Sequence, residues 1–305
     1  MTVTVRRRLV SPTTRRPRLR QVKPAAFTYH APESVAEALQ ILADVGDDGK
    51  VLAGGQSLVP ILNMRLAAPA NLVDINRVAG LSTVDASATA VTVGATARHA
   101  DVERHEVAYG VQPLLRRALR LVAHPAIRNR GTTCGSLAHA DPAGEMTAVL
   151  ALTGGTVRIS SAAGQRDVGA EEFFVGPLEC CLRPGELLES AMFPAFERGT
   201  GSAFVEVARR HGDYALCGVT AAVTVVAGTV SAARAAYISV GPTPLLLDLT
   251  DAVAGQPVAT ADWKAAGRLA QSRVSPEADI HATVSYRRHL VGVLTARALA
   301  EAAAR

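Results

Sequence analysis

From Phe27 onward, polar and apolar positions fall into blocks with distinct periods. In APESVAEALQILADVG, Val35, Leu39 and Leu42 share one helical face, Ser34 stands at the N-cap with Glu37 as its capping-box partner, and Gly46 marks the stop. KVLAGG reads as a short strand, the following segment as a short helix through Leu58, Ile61, Leu62 and Leu66, and NLVDI as another strand. A strand at Val91 to Gly94 leads into a polar helix, and VQPLLRRALRLV reads as a longer one. The stretch AIRNRGTTCGSLAHADPAGEMTAVLALTGG reads as a long loop ending in a helix that opens at Pro142, since proline is favoured in a first turn. Strands in TVRIS and ELLESAMF follow, separated by EEFFVGP.

Glycine and serine cluster in FERGTGSAF, residues 196–204, which places a domain boundary there. Beyond it, AFVEVARR, CGVTAAVTVVAGTVSAARAAYISVG and the closing helix YRRHLVGVLTARALAEAAA predict an α+β domain with antiparallel strands. Arg209 and Arg210 are expected to pair with acids at a subunit surface.

At 305 residues, 49% of them hydrophobic, the chain is long enough for two domains, or for one large domain with subdivisions, each able to bury a core. It has no apolar run of the roughly 18 residues a membrane span needs. The basic opening lacks the apolar region of a signal peptide, so the expected location is cytoplasmic. The net charge of +5 owes much to Arg6, Arg7, Arg8, Arg15, Arg16, Arg18 and Arg20, so residues 1–26 read as a basic, flexible tail. No helix-turn-helix, zinc-finger or RNP-like pattern accompanies that tail, and nucleic acid is not an expected partner. The four cysteines, Cys134, Cys180, Cys181 and Cys217, form no C-x-x-C grouping, so no iron–sulfur or zinc site is expected on this chain.

The dinucleotide fingerprint G-x-G-x-x-G is missing, yet AGGQSL and RGTTCGSLAHADPAGE each bring bare backbone to the front of a helix. Such N–H groups hold anionic oxygens without a lysine, although glycine also serves plain strand-to-helix turns. Ser57, Thr132, Thr133 and Ser136 add hydroxyls, while His139, Asp141 and Glu145 could fix a ribose or a ring edge. The residues alone thus lead to a pyrophosphate-containing ligand, with a dinucleotide as one candidate. Each side chain also has a plain reading. His139 can cap the loop, Asp141 can cap a helix, and Glu145 can complement a helix dipole. Leu188 can be core and Tyr214 surface.

Four stretches in order, AGGQSLVPILNMRLAAPANLVDIN, AIRNRGTTCGSLAHADPAGE, EVARRHGDYALCGV and YRRHLVGVLTARAL, resemble signatures of the FAD-binding medium subunit of molybdenum hydroxylases, the carbon monoxide dehydrogenase and xanthine dehydrogenase family. The resemblance runs from about Phe27 to the C-terminus. It implies an α+β chain, with a two-subdomain FAD-binding fold of the vanillyl-alcohol-oxidase (PCMH) type over residues 27–198, subdivided at about 27–80 and 81–198. A small α+β C-terminal flavoprotein domain would occupy residues 199–305. It further implies FAD on this chain, a large partner subunit with the molybdenum cofactor and a small one with [2Fe–2S] clusters, as a dimer of heterotrimers. Electrons would pass from the clusters through FAD to an external acceptor.

By motif, Ala53, Gly54, Gly55, Gln56, Ser57 and Leu58 are implied on one side of the pyrophosphate, and Thr132, Thr133, Cys134, Gly135 and Ser136 on the other. His139, Asp141 and Glu145 are implied near the nucleotide, Leu188 beside the flavin, and Tyr214 as the residue acting at the isoalloxazine face. Cys134 departs from the family's T-x-G-G-S. If the glycine it replaces has positive φ, a Cβ there costs about 1 kcal/mol and pushes the loop off the phosphate. Ala208 stands where some relatives have a lysine. A flavin-free scaffold and a stand-alone FAD oxidase remain alternatives, and the substrate is not written here because the molybdenum pocket would belong to another polypeptide.

Overall fold

Local signals set the first elements of the structure, a computed structural model that describes residues 23–305. The arginine-rich part of the expected tail lies outside the described residues. Strand β1 (Thr28–His30) is too short to leave a periodic signature, and the sequence reading omits it. Helix α1 (Val35–Val45) follows the pattern: Ser34 Oγ accepts the Glu37 amide at 3.2 Å, and the Glu37 carboxylate accepts the Glu33 amide at 2.8 Å. Strand β2 (Gly49–Leu52), helix α2 (Leu58–Asn63) and β3 (Asn71–Asp74) come next. Helix α2 ends before Leu66, which is left exposed after Arg65 turns at φ +56°. Strands β1 and β2 both run parallel to the central β3.

A second sheet contains β4 (Val84–Ala86), β5 (Ala90–Gly94), β6 (Thr156–Ser161), β7 (Gly164–Gly169) and β10 (Leu187–Pro194). Its order is β4-β5-β10-β6-β7, antiparallel throughout. Alternate residues Val91, Val93, Val157, Ile159, Ala191 and Phe193 are buried, as a sheet with one core face requires. Between β5 and β6 run six helices: α3 (His99–Arg104), α4 (Glu106–Val111), α5 (Pro113–Leu119), α6 (Pro125–Arg128), α7 (Thr133–His139) and α8 (Glu145–Thr153). The expected long loop is therefore corrected to two short helices. Buried Thr133, Cys134 and Leu137 anchor α7 against the core, and this packing overrides a glycine- and threonine-rich composition. Helix α8 opens at Glu145 behind Gly144 rather than at Pro142, whose carbonyl instead accepts the Ser239 amide at 2.8 Å. The EEFFVGP segment is not a plain connector either, since it carries α9 (Ala170–Phe173) and β8 (Phe174–Gly176), the latter paired with β9 (Glu179–Cys180).

The remaining chain builds β11 (Thr200–Ala208), β12 (Ala215–Val226), β13 (Thr229–Ile238) and β14 (Leu245–Asp248), antiparallel and adjacent in that order. Helices α10 (Trp263–Arg273) and α11 (Val284–Ala303) share a core with this sheet, where the Tyr237 hydroxyl meets Thr295 Oγ1 at 2.9 Å. The glycine–serine cluster divides: residues 195–199 form a connecting turn, and Thr200 opens β11. A Cβ on Gly201 would lie 3.1 Å from the Ala302 carbonyl carbon and closer still to its oxygen, so glycine there lets α11 rest directly on β11. No helix among the described residues is long and apolar enough to cross a membrane.

Candidate functional site

The loop after β2 and the loop before α7 meet. A Cβ on Gly54 would stand 2.8 Å from Gly131 Cα and nearer still to the Arg130 carbonyl, so only bare backbone permits this approach. The amides of Gly55, Gln56, Ser57 and Leu58 find no backbone or side-chain acceptor among the described residues, while Val59 begins the helical bonding by donating to Gly55. A row of unpaired N–H groups before a helix is what an anionic oxygen needs. The Ser57 and Ser136 hydroxyls are likewise half-buried without a protein partner among the described residues.

The second loop is held from behind. The Arg130 carbonyl accepts from Arg98 Nη1 at 2.9 Å, and the Gly131 carbonyl accepts the His99 amide at 2.9 Å. Thr132 caps α7 by accepting the Gly135 amide at 3.0 Å, and Thr133 Oγ1 lies 3.3 Å from His99 Nδ1. The hydroxyls of Thr132 and Thr133 are thus engaged inward, and only their backbone is available to a ligand. Burial pushes His99 down to about 4, with Arg128 adding to the effect, so its ring is neutral at pH 7.

Cys134 is also resolved by geometry. It lies in the first turn of α7 and is not among the residues with positive φ, and its thiol donates to the Val93 carbonyl at 3.3 Å. The condition for a strained loop is not met. Burial raises its pKa, which leaves an inert thiol rather than a redox-active one.

Beyond α7, His139 Nε2 and Asp141 Oδ2 are 3.9 Å apart, and Asp141 Oδ1 accepts the Ala143 amide at 2.8 Å. Glu145 keeps part of its surface, yet burial pushes its carboxyl up to about 7, with Asp141 adding repulsion. Glu206 on β11 is pushed up to about 8 by burial and by Glu145. Its Oε2 has no hydrogen-bond partner among the described residues. Glu145 and Glu206 thus interact as a pair of carboxyls that hold protons near neutrality.

Tyr214 belongs to the β11–β12 turn and is 66% exposed, with Asp141 and Glu145 close enough to raise its phenol pKa after burial has done so. The turn is seated by Gly212 against His124, whose ring lies 5.8 Å from that of His211. Both Arg209 and Arg210 reach Asp213 at 3.5 Å within the same turn, a pairing with an acid at the surface of this chain, as expected. Leu188 is 5% exposed in β10 and packs in the core of the second sheet. The structure thus gathers the two loops together, places the acids and Tyr214 beyond α7, and leaves Leu188 in the core. Asn76, Arg98, His99 and Glu206 escape the sequence reading, because their partners lie far away in the chain. Among the described residues no three metal-ligating side chains cluster, and all four cysteines are free.

The model for the FAD-binding domain in molybdopterin dehydrogenase matches residues 25–196, and that for the CO dehydrogenase flavoprotein C-terminal domain matches residues 202–302. The caffeine dehydrogenase subunit beta of Pseudomonas sp. strain CBB1 is 40% identical, across 93% of this chain and 97% of its own length. The 6-hydroxypseudooxynicotine dehydrogenase complex subunit alpha of Paenarthrobacter nicotinovorans is 38% identical, across 92% and 96% respectively. The carbon monoxide dehydrogenase of Hydrogenophaga pseudoflava, in a form lacking the Mo-pyranopterin moiety, superposes with a TM-score of 0.87 at 34% identity, covering 92% of this chain and 98% of its own. Agreement along nearly the whole of both chains, in sequence and in three dimensions, means that this chain belongs to the molybdenum hydroxylase family as its FAD-binding medium subunit.

Proposed function

We propose that Ala53–Leu58 and Thr132–Ser136 close on the FAD pyrophosphate from two sides. The approach of Gly54 to Gly131 carries this reading, because it brings two helix-leading turns within reach of one diphosphate. The residues fit the group: four unpaired amides and two free hydroxyls face a ligand that is an anionic acceptor, and no carboxylate belongs to either loop. In this reading Ser57 and Ser136 donate hydroxyl protons, whereas Thr132, Thr133, Cys134 and Gly135 contribute backbone. His139, Asp141 and Glu145 meet the ring edge or the sugar hydroxyls, and Leu188 backs the flavin through the sheet it packs. Tyr214, exposed on its turn, screens the isoalloxazine face from the acceptor side. Bound FAD supplies the redox chemistry that accepts and hands on electrons, while the protein supplies orientation and electrostatics.

The medium subunit would work in a heterotrimer with a large molybdenum-cofactor subunit and a small [2Fe–2S] subunit, paired as a dimer of heterotrimers. Electrons would leave for an external acceptor. A cytoplasmic setting accords with four unpaired cysteines, since thiols persist in a reducing compartment. Flavin content per chain tests the loops directly. Purified wild-type protein should be yellow and carry near-stoichiometric FAD, and Gly55→Asp and Ser136→Asp should each lose most of it through like-charge repulsion. Unchanged flavin occupancy in both variants would remove these loops from the site.

A further inference from the structure

A continuous polar chain crosses behind the two glycine loops. The Tyr29 hydroxyl donates to Asp74 Oδ2 at 2.6 Å, and Asp74 Oδ1 accepts the Asn76 backbone amide at 2.9 Å and one N–H of its side chain. The other Asn76 side-chain N–H donates to the Ala53 carbonyl at 2.8 Å. Asn76 Oδ1 accepts from Arg98 Nη2 at 2.6 Å, and Arg98 Nη1 donates to the Arg130 carbonyl at 2.9 Å. Every polar position of the Asn76 side chain is used, which fixes the orientation of its amide.

The ends of this chain matter. Ala53 O and Arg130 O belong to the residues preceding Gly54 and Gly131, the pair at which the loops touch. In a trans peptide the carbonyl and the next N–H point to opposite sides, so drawing Ala53 O toward Asn76 turns the Gly54 N–H away from Asn76. We propose that Asn76 and Arg98 are positioning residues for the cofactor, a two-residue clamp that registers one phosphate loop against the other from the face away from the ligand. This rests on the reading that the two loops hold the FAD pyrophosphate. The guanidinium acts here through its fork geometry rather than its charge alone, since two of its nitrogens serve two different segments.

The test is titration of the full chain, stripped of flavin, with FAD, followed by quenching of flavin fluorescence. Arg98→Ala and Asn76→Ala should each weaken FAD binding roughly tenfold or more, the scale of one or two lost positioning hydrogen bonds. Arg98→Lys should bind as poorly as Arg98→Ala, because a point charge cannot span Asn76 Oδ1 and Arg130 O together. Asn76→Asp keeps an acceptor for Arg98 but loses both donors, to Ala53 O and to Asp74, and sets one carboxylate against another, so it should bind FAD weakly, with its fold verified by circular dichroism. The double variant Asn76→Ala/Arg98→Ala should be no weaker than the worse single variant, the signature of a shared interaction, whereas general destabilisation would make the losses add. Wild-type affinity in Asn76→Asp, full rescue by Arg98→Lys, or additive losses would each overturn the clamp while leaving the loops in place. A wild-type chain that takes up no FAD would overturn the loop reading itself, and the clamp with it.

Discussion

Glu206 shows how much a single side chain can report. Its carboxyl is pushed up to about 8 and that of neighbouring Glu145 to about 7, whereas an unfolded chain would hold both near 4.5. A carboxyl with a raised folded pKa favours folding while it remains protonated. That contribution is complete below the unfolded pKa and is lost as pH rises through the folded one. Stability of the flavin-free protein should therefore fall between about pH 5 and pH 9. Glu206→Gln keeps the shape without the charge and should flatten that fall, raising the melting temperature at pH 9 more than at pH 5. Melting curves that drop in parallel for both proteins would deny Glu206 this role. The buried Cys134 carries the opposite lesson: a residue that departs from its family's glycine is absorbed without strain, because it sits in helical backbone with its thiol turned to Val93.

Among the elements, α1 and α7 use the same capping chemistry for different ends. Ser34 caps a helix of 11 residues whose pattern is plain in sequence, and Thr132 caps one of 7 residues that the sequence disguises as loop. Removing either cap hydroxyl should cost about 1 kcal/mol in denaturant unfolding. The two variants should part company in flavin content. Ser34→Ala should retain wild-type FAD, and Thr132→Ala should lose part of it, because the proposed site uses the first turn of α7 and not that of α1. Equal flavin in both would make α7 a scaffold element alone. The apolar faces of α1 and of the paired strands made their positions legible, whereas α7 depends on burial of Thr133, Cys134 and Leu137 that no local pattern announces.

At the scale of the whole molecule, the candidate site spans both halves of the chain: one loop follows β2 of the first sheet, the other lies among the helices inserted in the second sheet, and Glu206 and Tyr214 belong to β11 and the turn after it. The turn that carries Tyr214 packs closely on His124 at Gly212. Tyr214→Phe should leave FAD binding nearly intact and alter the rate at which reduced flavin is reoxidised by the external acceptor. Identical rapid-mixing traces for the two proteins would count against any control of access. The sequence by itself determined the α+β class, the capped first helix, the strands flanking the first loop, the antiparallel C-terminal sheet and the residues able to expose bare backbone to an anion. These rest on nearest-neighbour sterics, periodic burial and motif resemblance, all carried by short segments. Only the tertiary structure decided that Gly54 meets Gly131, that Asn76 and Arg98 tie the two carbonyls, and that Glu206 sits against Glu145. Each joins residues from separate elements, and what brings them together is the burial of two cores rather than any preference of the local chain.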